Sequence, residues 1–508
     1  MGQSIMGTSV CAAVAGVLAA GCGSKATAYL IVTVDARPAV HDAQSIAVSL
    51  TNAGTTRMDT LVLGQHAFPV TFSVSTPGRT GDLALAVDAI DAAGQIVGHG
   101  SAMTTVAAAT ADLVLDTTDF VVNTDYTGDQ FPVDDFEATG FQLAAQPDGT
   151  WTAVFRDSCM NGACSVFARR FDPTGRPVAT QAGAGSRAFV ISARTSDDFT
   201  EPAAASNAAT TLALWNFDDP APASTGGVAC RPLTAAGALA ADESQLSDDT
   251  VAEAVSVAPL ASGDFVASWN AIPAATLDNV IRAVIVKSDC TAPGGVQTVS
   301  TGGMFADRND AAGSADHALF TWVVNGDLHG RLASSAGVLA TPEAVLVAQT
   351  ATYAVGHARI VATAGGAFAV AVRWLPQTGA MMPGKIELFQ VGADGAVAGS
   401  PTLVTDQAGT GGENDEAFGM ATRPDGTIMI VWHVCNGGDS CTVSGKIVGA
   451  TGSEVTPVFA VPTSTGGSQK RPSVIGLPSA FVAMWSDTSG KPPDTSGQAV
   501  RARIVYPP

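Results

Sequence analysis

Acidic residues recur at one position of a repeat that runs through most of the chain, just before the first strand of five of the seven repeat units. Carboxylate oxygens are the ligands that Ca²⁺ prefers, they attract basic partners, and a suitably spaced pair can act as general acid and general base. A solvated rim of strand-breaking residues is the alternative interpretation. The set consists of Asp134, Asp135, Asp197, Asp198, Asp248, Asp249, Asp307, Asp310, Asp415 and Glu416.

The acidic position is not filled in every repeat unit. His357 replaces it in the fifth unit, and Lys470 and Arg471 replace it in the seventh. None of the seven histidines shows the spacing of metal ligands, so we expect each to be structural or exposed. The sequence also lacks the motifs of serine hydrolases, zinc proteases and phosphate-binding loops. No cofactor is therefore indicated except Ca²⁺ at the acidic ring.

Six of the eight cysteines lie outside the N-terminal segment, and their placement predicts disulfides. Two pairs flank short loops at equivalent positions of different repeat units, and a third pair lies in neighbouring units. Zinc is the competing interpretation, since close cysteine pairs also bind zinc. The spacings exceed Cys-x-x-Cys, however, and the apolar N-terminal segment, residues 1–21, predicts export to an oxidising compartment. The predicted pairs are Cys159 with Cys164, Cys435 with Cys441, and Cys230 with Cys290.

An apolar run that usually ends in Trp recurs seven times and determines the predicted architecture. The last residues of the runs are 60, 54, 53, 50, 60 and 53 positions apart, slightly more than the roughly 40–50 residues of many propeller blades. Turn signals divide each copy into four short strands. We therefore predict an all-β chain with a seven-bladed β-propeller of four-stranded antiparallel blades, in which the Trp side chains fill the space between blades. The runs end at Phe155, Trp215, Trp269, Trp322, Val372, Trp432 and Trp485.

The last repeat unit stops after its third strand. Residues 119–123 resemble a fourth strand that has no blade of its own. We predict that this segment completes the seventh blade and closes the ring, because an open sheet edge would invite association with other chains. The propeller domain then spans residues 118–508.

Residues 22–117 lack the repeat and show five alternating apolar runs, most of them separated by turn signals. This pattern is typical of an antiparallel β-sandwich of immunoglobulin or fibronectin type. We expect this domain to act as a spacer.

The N-terminal segment, residues 1–21, has the features of a signal peptide. Its apolar run is too short to span a bilayer. Leu18-Ala-Ala-Gly-Cys22 resembles the lipobox of bacterial lipoproteins, which implies cleavage before Cys22 and lipidation of that cysteine. Gly23 in place of Asp after the cysteine implies the outer membrane. In layout the whole chain is similar to bacterial surface lipoproteins in which a β-sandwich precedes a seven-bladed propeller.

The formal net charge of −21 argues against nucleic acid and anionic lipid surfaces as partners, since both require basic patches. Contact with the membrane is expected through the lipid anchor alone. Because loops on a rigid scaffold commonly carry binding residues, we predict a non-catalytic cell-surface binding protein, not an enzyme, that engages a protein or glycan through its loop-rich face. The alternative is a secreted polysaccharide hydrolase or lyase that takes its acid and base from the acidic ring.

Overall fold

The chain folds into a seven-stranded N-terminal sheet followed by a seven-bladed β-propeller. The structure is a computed structural model. It describes residues 29–124, 130–131, 143–157, 165–180, 185–193, 202–218, 226–249, 251–272, 279–301, 306–377, 383–408, 417–435, 440–495 and 497–508. The signal segment, Cys22 and the pair Cys159 and Cys164 lie outside these ranges. Within them, no helix has the length and apolar character needed to cross a membrane.

The N-terminal sheet covers one apolar core. Its strands follow the order β3-β2-β5-β6-β7-β1-β4, and buried and exposed residues alternate along most of them, as expected when one face of a strand packs inward. All five predicted runs are strands, and the sheet curves around the core in a way that is consistent with a sandwich-like domain. The strands are β1 (Tyr29–Ala36), β2 (Ser45–Asn52), β3 (Thr55–Val62), β4 (Val70–Ser75), β5 (Asp82–Ile90), β6 (Ile96–Thr105) and β7 (Thr110–Thr117).

The remaining strands form seven separate sheets, as the repeat predicts. Strand β8 (Phe120–Val121) belongs to the seventh blade, and β9 (Gln130–Phe131) pairs with the second strand of the first blade. Blade one consists of β10 (Leu143–Ala145), β11 (Trp151–Asp157), β12 (Val166–Phe171) and β13 (Phe189–Val190). Blade two consists of β14 (Ala203–Ser206), β15 (Thr210–Asp218), β16 (Gly226–Thr234) and β17 (Ser244–Gln245). Blade three consists of β18 (Val251–Pro259), β19 (Phe265–Ile272), β20 (Val280–Val286) and β21 (Gln297–Thr298).

The other four blades have the same antiparallel order. A single 3₁₀ turn at Ala364–Gly366 interrupts the described part of blade five. Blade four consists of β22 (Asp307–Gly313), β23 (His317–Val324), β24 (Asp327–Ser334) and β25 (Ala344–Val347), and blade five of β26 (Tyr353–Ala362), β27 (Phe368–Pro376), β28 (Lys385–Val391) and β29 (Val397–Thr405). Blade six consists of β30 (Phe418–Thr422), β31 (Ile428–Cys435), β32 (Cys441–Val448) and β33 (Phe459–Ala460). Blade seven consists of β34 (Gln469–Gly476), β35 (Phe481–Asp487) and β36 (Ala499–Val505), and β36 pairs with β8.

The first strand of each blade is the innermost. These strands contact one another in ring order, and β10 of blade one also contacts β34 of blade seven, so the ring is closed. All first strands begin on one face of the ring. The connections between blades and the loops between second and third strands lie on this face, which we call the loop-rich face.

Tight Asp-Gly-Thr turns join strands on the opposite face. Gly149 has a φ of 84°, a backbone conformation that glycine adopts without steric cost. Asp148 Oδ1 accepts hydrogen bonds from the backbone N and Oγ1 of Thr150, at 2.9 and 2.6 Å. Asp425 and Thr427 repeat this arrangement in blade six. The predicted hairpin turns are thus present.

Strand β8 lies within the segment for which closure was predicted. Val121 and Phe120 pair with Arg501 and Ala502 of β36, so the outermost strand of blade seven comes from the beginning of the propeller. The side chain of Asp119 is buried beside this strand and accepts hydrogen bonds from Thr463 and Ser464 in the connection from blade six. Closure therefore combines a strand pair with a polar contact.

Core tryptophans and two disulfides stabilise the blades. Six tryptophans are essentially inaccessible to solvent and the seventh, Trp374, is 3% exposed, so the Trp repeat fills the core. Cys435 and Cys441 are bonded across the loop between β31 and β32. Cys230 of blade two is bonded to Cys290 of blade three. Both predicted pairs that fall in the described ranges are disulfides.

Candidate functional site at the channel mouth

The structure describes four residues of the predicted acidic set. Asp248 is exposed, and Asp307 is the first residue of β22. Asp249 and Asp310 are buried, at 2% and 0% exposure, so neither belongs to an exposed carboxylate rim. Asp134, Asp135, Asp197, Asp198, Asp415 and Glu416 lie outside the described residues.

Asp249 is buried within blade three, where it contacts two neighbouring strands. Its Oδ2 accepts a hydrogen bond from the indole nitrogen of Trp269 at 2.8 Å, and its Oδ1 lies 2.6 Å from Arg282 Nη1. Both oxygens are therefore engaged by neighbouring strands of the same blade.

Asp310 joins three blades. Its Oδ1 accepts a hydrogen bond from Ser256 Oγ of blade three at 2.7 Å, and its Oδ2 accepts one from the backbone N of Ile360 of blade five at 2.9 Å. Burial raises the pKa of Asp310 above its ordinary value, although Arg359 and these hydrogen bonds act in the opposite direction. The side chain connects the innermost strands of blades three to five.

Bulges near the start of the innermost strands explain this inward placement. The strand register shifts after Glu253, Asp307, Val355 and Lys470, at similar positions of four blades. A bulge adds a residue and changes which side chains face inward. The bulges contain non-glycine residues with positive φ, a strained conformation that is common at functional sites: Ala254 (52°), Arg308 (54°) and Arg471 (56°).

A cationic group surrounds one of these bulges on the loop-rich face. It consists of His357, Arg308, Arg359 and Arg373, and we call it the mouth cluster. His357 and Arg373 are cross-strand neighbours on β26 and β27. Arg308 Nη1 reaches from blade four to the backbone O of Gly356, at 2.6 Å. His357 and Arg373 are fully buried, and Arg359 is 3% exposed.

Hydrogen bonds hold the mouth cluster in place. Arg359 Nε donates to the backbone O of Phe418 in blade six at 3.0 Å, and Arg373 donates to the backbone O of Ala408. Arg359 Nη1 also lies 2.6 Å from His357 Nε2. Because an arginine guanidinium has donors only, Nε2 must be the acceptor, which places the imidazole proton on Nδ1.

His357 is a neutral hydrogen-bond donor at this site. Burial, together with the positive charges of Arg359, Arg308 and Arg373, lowers the pKa of His357 well below its usual value. Its Nδ1 is buried and has no hydrogen-bond partner among the described residues. A buried N–H without an acceptor costs free energy. An anion placed beside it would satisfy this donor.

No motif or spacing in the sequence predicts the mouth cluster. From the sequence His357 is only a gap in the acidic ring, and every histidine is expected to be structural or exposed. Arg308 directly follows an acidic member of the ring, and Arg471 occupies a similar bulge in blade seven. This recurrence of basic residues at a repeated position was the available signal.

The described residues contain no group of three or more His, Cys, Asp or Glu side chains that could hold a metal ion. Six members of the acidic set lie outside those residues. Calcium binding at the ring therefore stays a prediction.

Comparison with models of protein families gives no match, and comparison with curated proteins gives none either. Among solved structures, a protein of unknown function from Dyadobacter fermentans is 9% identical, with a TM-score of 0.46 over 77% of this chain and 99% of that one. An ulvan lyase bound to -[GlcA(1-4)Rha3S]- is 10% identical, with a TM-score of 0.42 over 74% and 96% of the two chains.

An α-L-arabinofuranosidase from Podospora anserina, solved with cellotriose, is 9% identical, with a TM-score of 0.29 over 50% of this chain and 91% of that one. At these identities the likeness is one of fold. The predictions of a non-catalytic binding protein and of a chain that is not an enzyme are nevertheless contradicted by this comparison, because the similar structures include polysaccharide lyases and glycoside hydrolases.

Proposed function

We propose that this chain is a carbohydrate-active enzyme that cleaves an acidic polysaccharide by β-elimination at the channel mouth. The observation that carries the proposal is the mouth cluster: a neutral, buried His357 whose Nδ1–H lacks an acceptor in the described part of the chain, surrounded by Arg308, Arg359 and Arg373. Such a group is suited to bind a carboxylate.

Elimination from a uronate chain requires this kind of group. A base removes the proton from C5, the electron pair forms the C4=C5 double bond, the C4–O bond breaks, and the departing oxygen takes up a proton. Negative charge develops on the uronate carboxylate while C5 loses its proton. Donors fixed around that carboxylate stabilise the developing charge without reorganising. His357 Nδ1 provides such a donor, and the neighbouring arginines surround it with positive charge.

Hydrolysis is the less favoured chemistry. It usually needs two carboxyl groups that flank the scissile bond. Asp249 and Asp310 are the members of the acidic set that the structure describes as buried. Trp269 and Arg282 engage Asp249, and Ser256 and Ile360 engage Asp310. They therefore do not supply such a pair.

A cleavage assay on acidic polysaccharides tests the proposal. Polygalacturonate, alginate and ulvan are incubated with the protein, and both new reducing ends and the ultraviolet absorbance of the unsaturated uronate are followed. Elimination gives both signals, whereas hydrolysis gives reducing ends alone. Reducing ends without the unsaturated product, or no cleavage of any acidic polymer, would contradict the proposal.

Variants of the mouth cluster locate the activity. We expect Arg308→Ala and His357→Gln to lower kcat/KM by about 10²–10³, the usual effect of losing one charge-stabilising donor. His357→Asn should retain more activity than His357→Gln, because the asparagine amide falls near the Nδ1 position. Arg57→Ala, on strand β3 beside Asp59, is the matched control. Melting curves exclude loss of folding as the cause.

We further propose that the chain is exported and anchored through Cys22. The support is the lipobox resemblance of residues 18–22 and the apolar segment before it. Several acyl chains would hold the protein firmly, at about 0.8 kcal/mol per buried methylene. Cys22→Ser should move the protein from the detergent phase to the aqueous phase after phase partitioning. An unchanged distribution would contradict the anchor.

A further inference from the structure

A cleft of about 990 Å³ separates the N-terminal sheet from blades one and seven. This volume is at the upper end of the range for ligand pockets, roughly 300–1,000 Å³, and such pockets are common at domain interfaces. The β5–β6 hairpin forms one wall, the 491–493 loop of blade seven forms another, and Phe120 and Phe171 are among the residues between them. We call it the interdomain cleft.

Hydrogen bonds hold the hairpin wall in place. Asp91 Oδ1 accepts hydrogen bonds from the backbone N of Ala93 and of Gln95, at 2.9 and 2.8 Å, which fixes the turn. Thr118 Oγ1 donates to the backbone O of Ile96 at 2.6 Å and so ties the hairpin to the segment that leads into the propeller.

The opposite wall is fixed from within blade seven. Arg501 donates to the backbone oxygens of Lys491 and Pro492, and its Nε binds Asp487 Oδ2 at 2.7 Å. Both walls are therefore held in place without a ligand. A preformed cleft binds with a smaller ordering cost than a mobile one.

The polar groups of the cleft match vicinal hydroxyls. His99 Nδ1 lies 2.6 Å from Asp88 Oδ1, and the side chains are 53% and 35% exposed. This contact leaves His99 Nε2 and Asp88 Oδ2 available, so one exposed pair offers two further hydrogen-bonding positions side by side. Each sugar hydroxyl both donates and accepts, and two adjacent hydroxyls fit such a pair.

Apolar side chains line other parts of the cleft, and its acidic and basic side chains are equal in number. Ile96, Pro492 and Pro493 are exposed along the cleft and Phe120 is half-buried, which suits the C–H faces of sugar rings. Three carboxylates and three cations line it, namely Asp88, Asp91 and Asp119 with Arg169, Lys491 and Arg501. An uncharged ligand fits this environment better than a polyanion does.

From these observations we infer that the interdomain cleft is a second saccharide site, and that it binds a neutral oligosaccharide. The site is separate from the mouth cluster and does not depend on the proposed lyase activity. It gives the N-terminal sheet a direct part in binding.

Titration calorimetry with cellohexaose and mannohexaose as neutral probes, and with hexagalacturonate as an acidic probe of equal length, tests the inference. We expect at least one neutral probe to bind at the cleft, whereas the acidic probe can bind at the mouth cluster and should not depend on cleft residues. Ala93→Trp, which fills the cleft, and His99→Ala should weaken binding of the neutral probe by at least about tenfold, the equivalent of roughly 1.4 kcal/mol.

The matched control is Ala92→Trp, since Ala92 belongs to the same exposed turn but does not line the cleft. It should bind like the parent, and so should Arg308→Ala, which alters the mouth cluster. Equal melting temperatures confirm folding of all variants. The inference is overturned if neither neutral probe binds, if Ala93→Trp weakens the acidic probe as much as the neutral one, or if Ala93→Trp binds the neutral probe like the parent. Failure of polysaccharide cleavage alone leaves this result untouched.

Discussion

At the scale of single residues, carboxylates in this chain differ in role according to the groups that face them. Asp310 is enclosed and has a raised pKa, whereas Asp119 is enclosed and has a lowered one. Burial raises the pKa of Asp119, but hydrogen bonds from Ser464 and Thr463 and the charge of Arg501 outweigh it. Asp119 is therefore ionised in the folded ring and stabilises its closure.

Replacing Asp119 should make the closed ring less stable. It should also remove one cause of the fall in the free energy of unfolding at acidic pH. A carboxylate with a lowered folded pKa stabilises the fold above its unfolded pKa of about 3.9, and this contribution is lost as the pH falls through the folded value. We expect Asp119→Asn to cost about 2–3 kcal/mol at pH 7, as hydrogen bonds to a charged group contribute roughly 1.5–3 kcal/mol. Denaturant unfolding at pH 7 and below pH 4 measures it.

The difference between Asp119→Asn and the parent should shrink at the lower pH, where the parent's own carboxylate becomes protonated. Asp425→Asn is the control, because Asp425 also has a lowered pKa, from Thr427, but is exposed. It should lose under about 1 kcal/mol. A difference that stays constant with pH would show that Asp119 acts through its shape and not its charge.

At the scale of strands, local patterns predicted most elements but not their register. Alternation, Trp recurrence and Asp-Gly turns were sufficient to place four strands in each blade and the closing segment near Phe120. The bulges were not predictable, because a shift of one residue leaves composition and spacing unchanged while it turns side chains to the other face. Asp310 therefore resembled a surface loop residue in the sequence and is buried in the structure.

The mouth cluster was not predictable from the sequence for a related reason. Arg308 lies in blade four, while His357, Arg359 and Arg373 lie on two strands of blade five. Their proximity depends on how neighbouring blades pack, and no spacing along the chain expresses it. Two signals remained in the sequence: His357 at a position that is acidic in most repeat units, and Arg308 directly after the acidic residue of blade four. They are recognisable only once the ring geometry is known.

At the scale of the whole molecule, the N-terminal sheet contacts the last strand of the propeller through hydrogen bonds and apolar packing. Thr117 Oγ1 donates to the backbone O of Ile504 at 2.5 Å, and Arg503 Nε donates to the backbone O of Thr117 at 3.1 Å. Ala39 packs into a core cluster formed otherwise by blades one and seven, with Tyr506 against it. The sheet is thus docked on the ring at the point where the ring closes.

This docking predicts that Tyr506, which follows the last strand of the propeller, stabilises the N-terminal sheet. The Tyr506 ring lies 5.6 Å from the Arg37 guanidinium, and burial raises the Tyr506 pKa. Removing a half-buried aromatic ring should cost about 2 kcal/mol, roughly half the loss from a fully buried one. Tyr506→Ala should therefore speed amide hydrogen exchange in β1 and β7 as well as in β36, whereas Tyr506→Phe, which keeps the ring and loses only the hydrogen bond with the Ala39 backbone, should show a smaller increase. Exchange that quickens in β36 alone would mean that the sheet and the ring open independently, and that the cleft between them is not held by this contact.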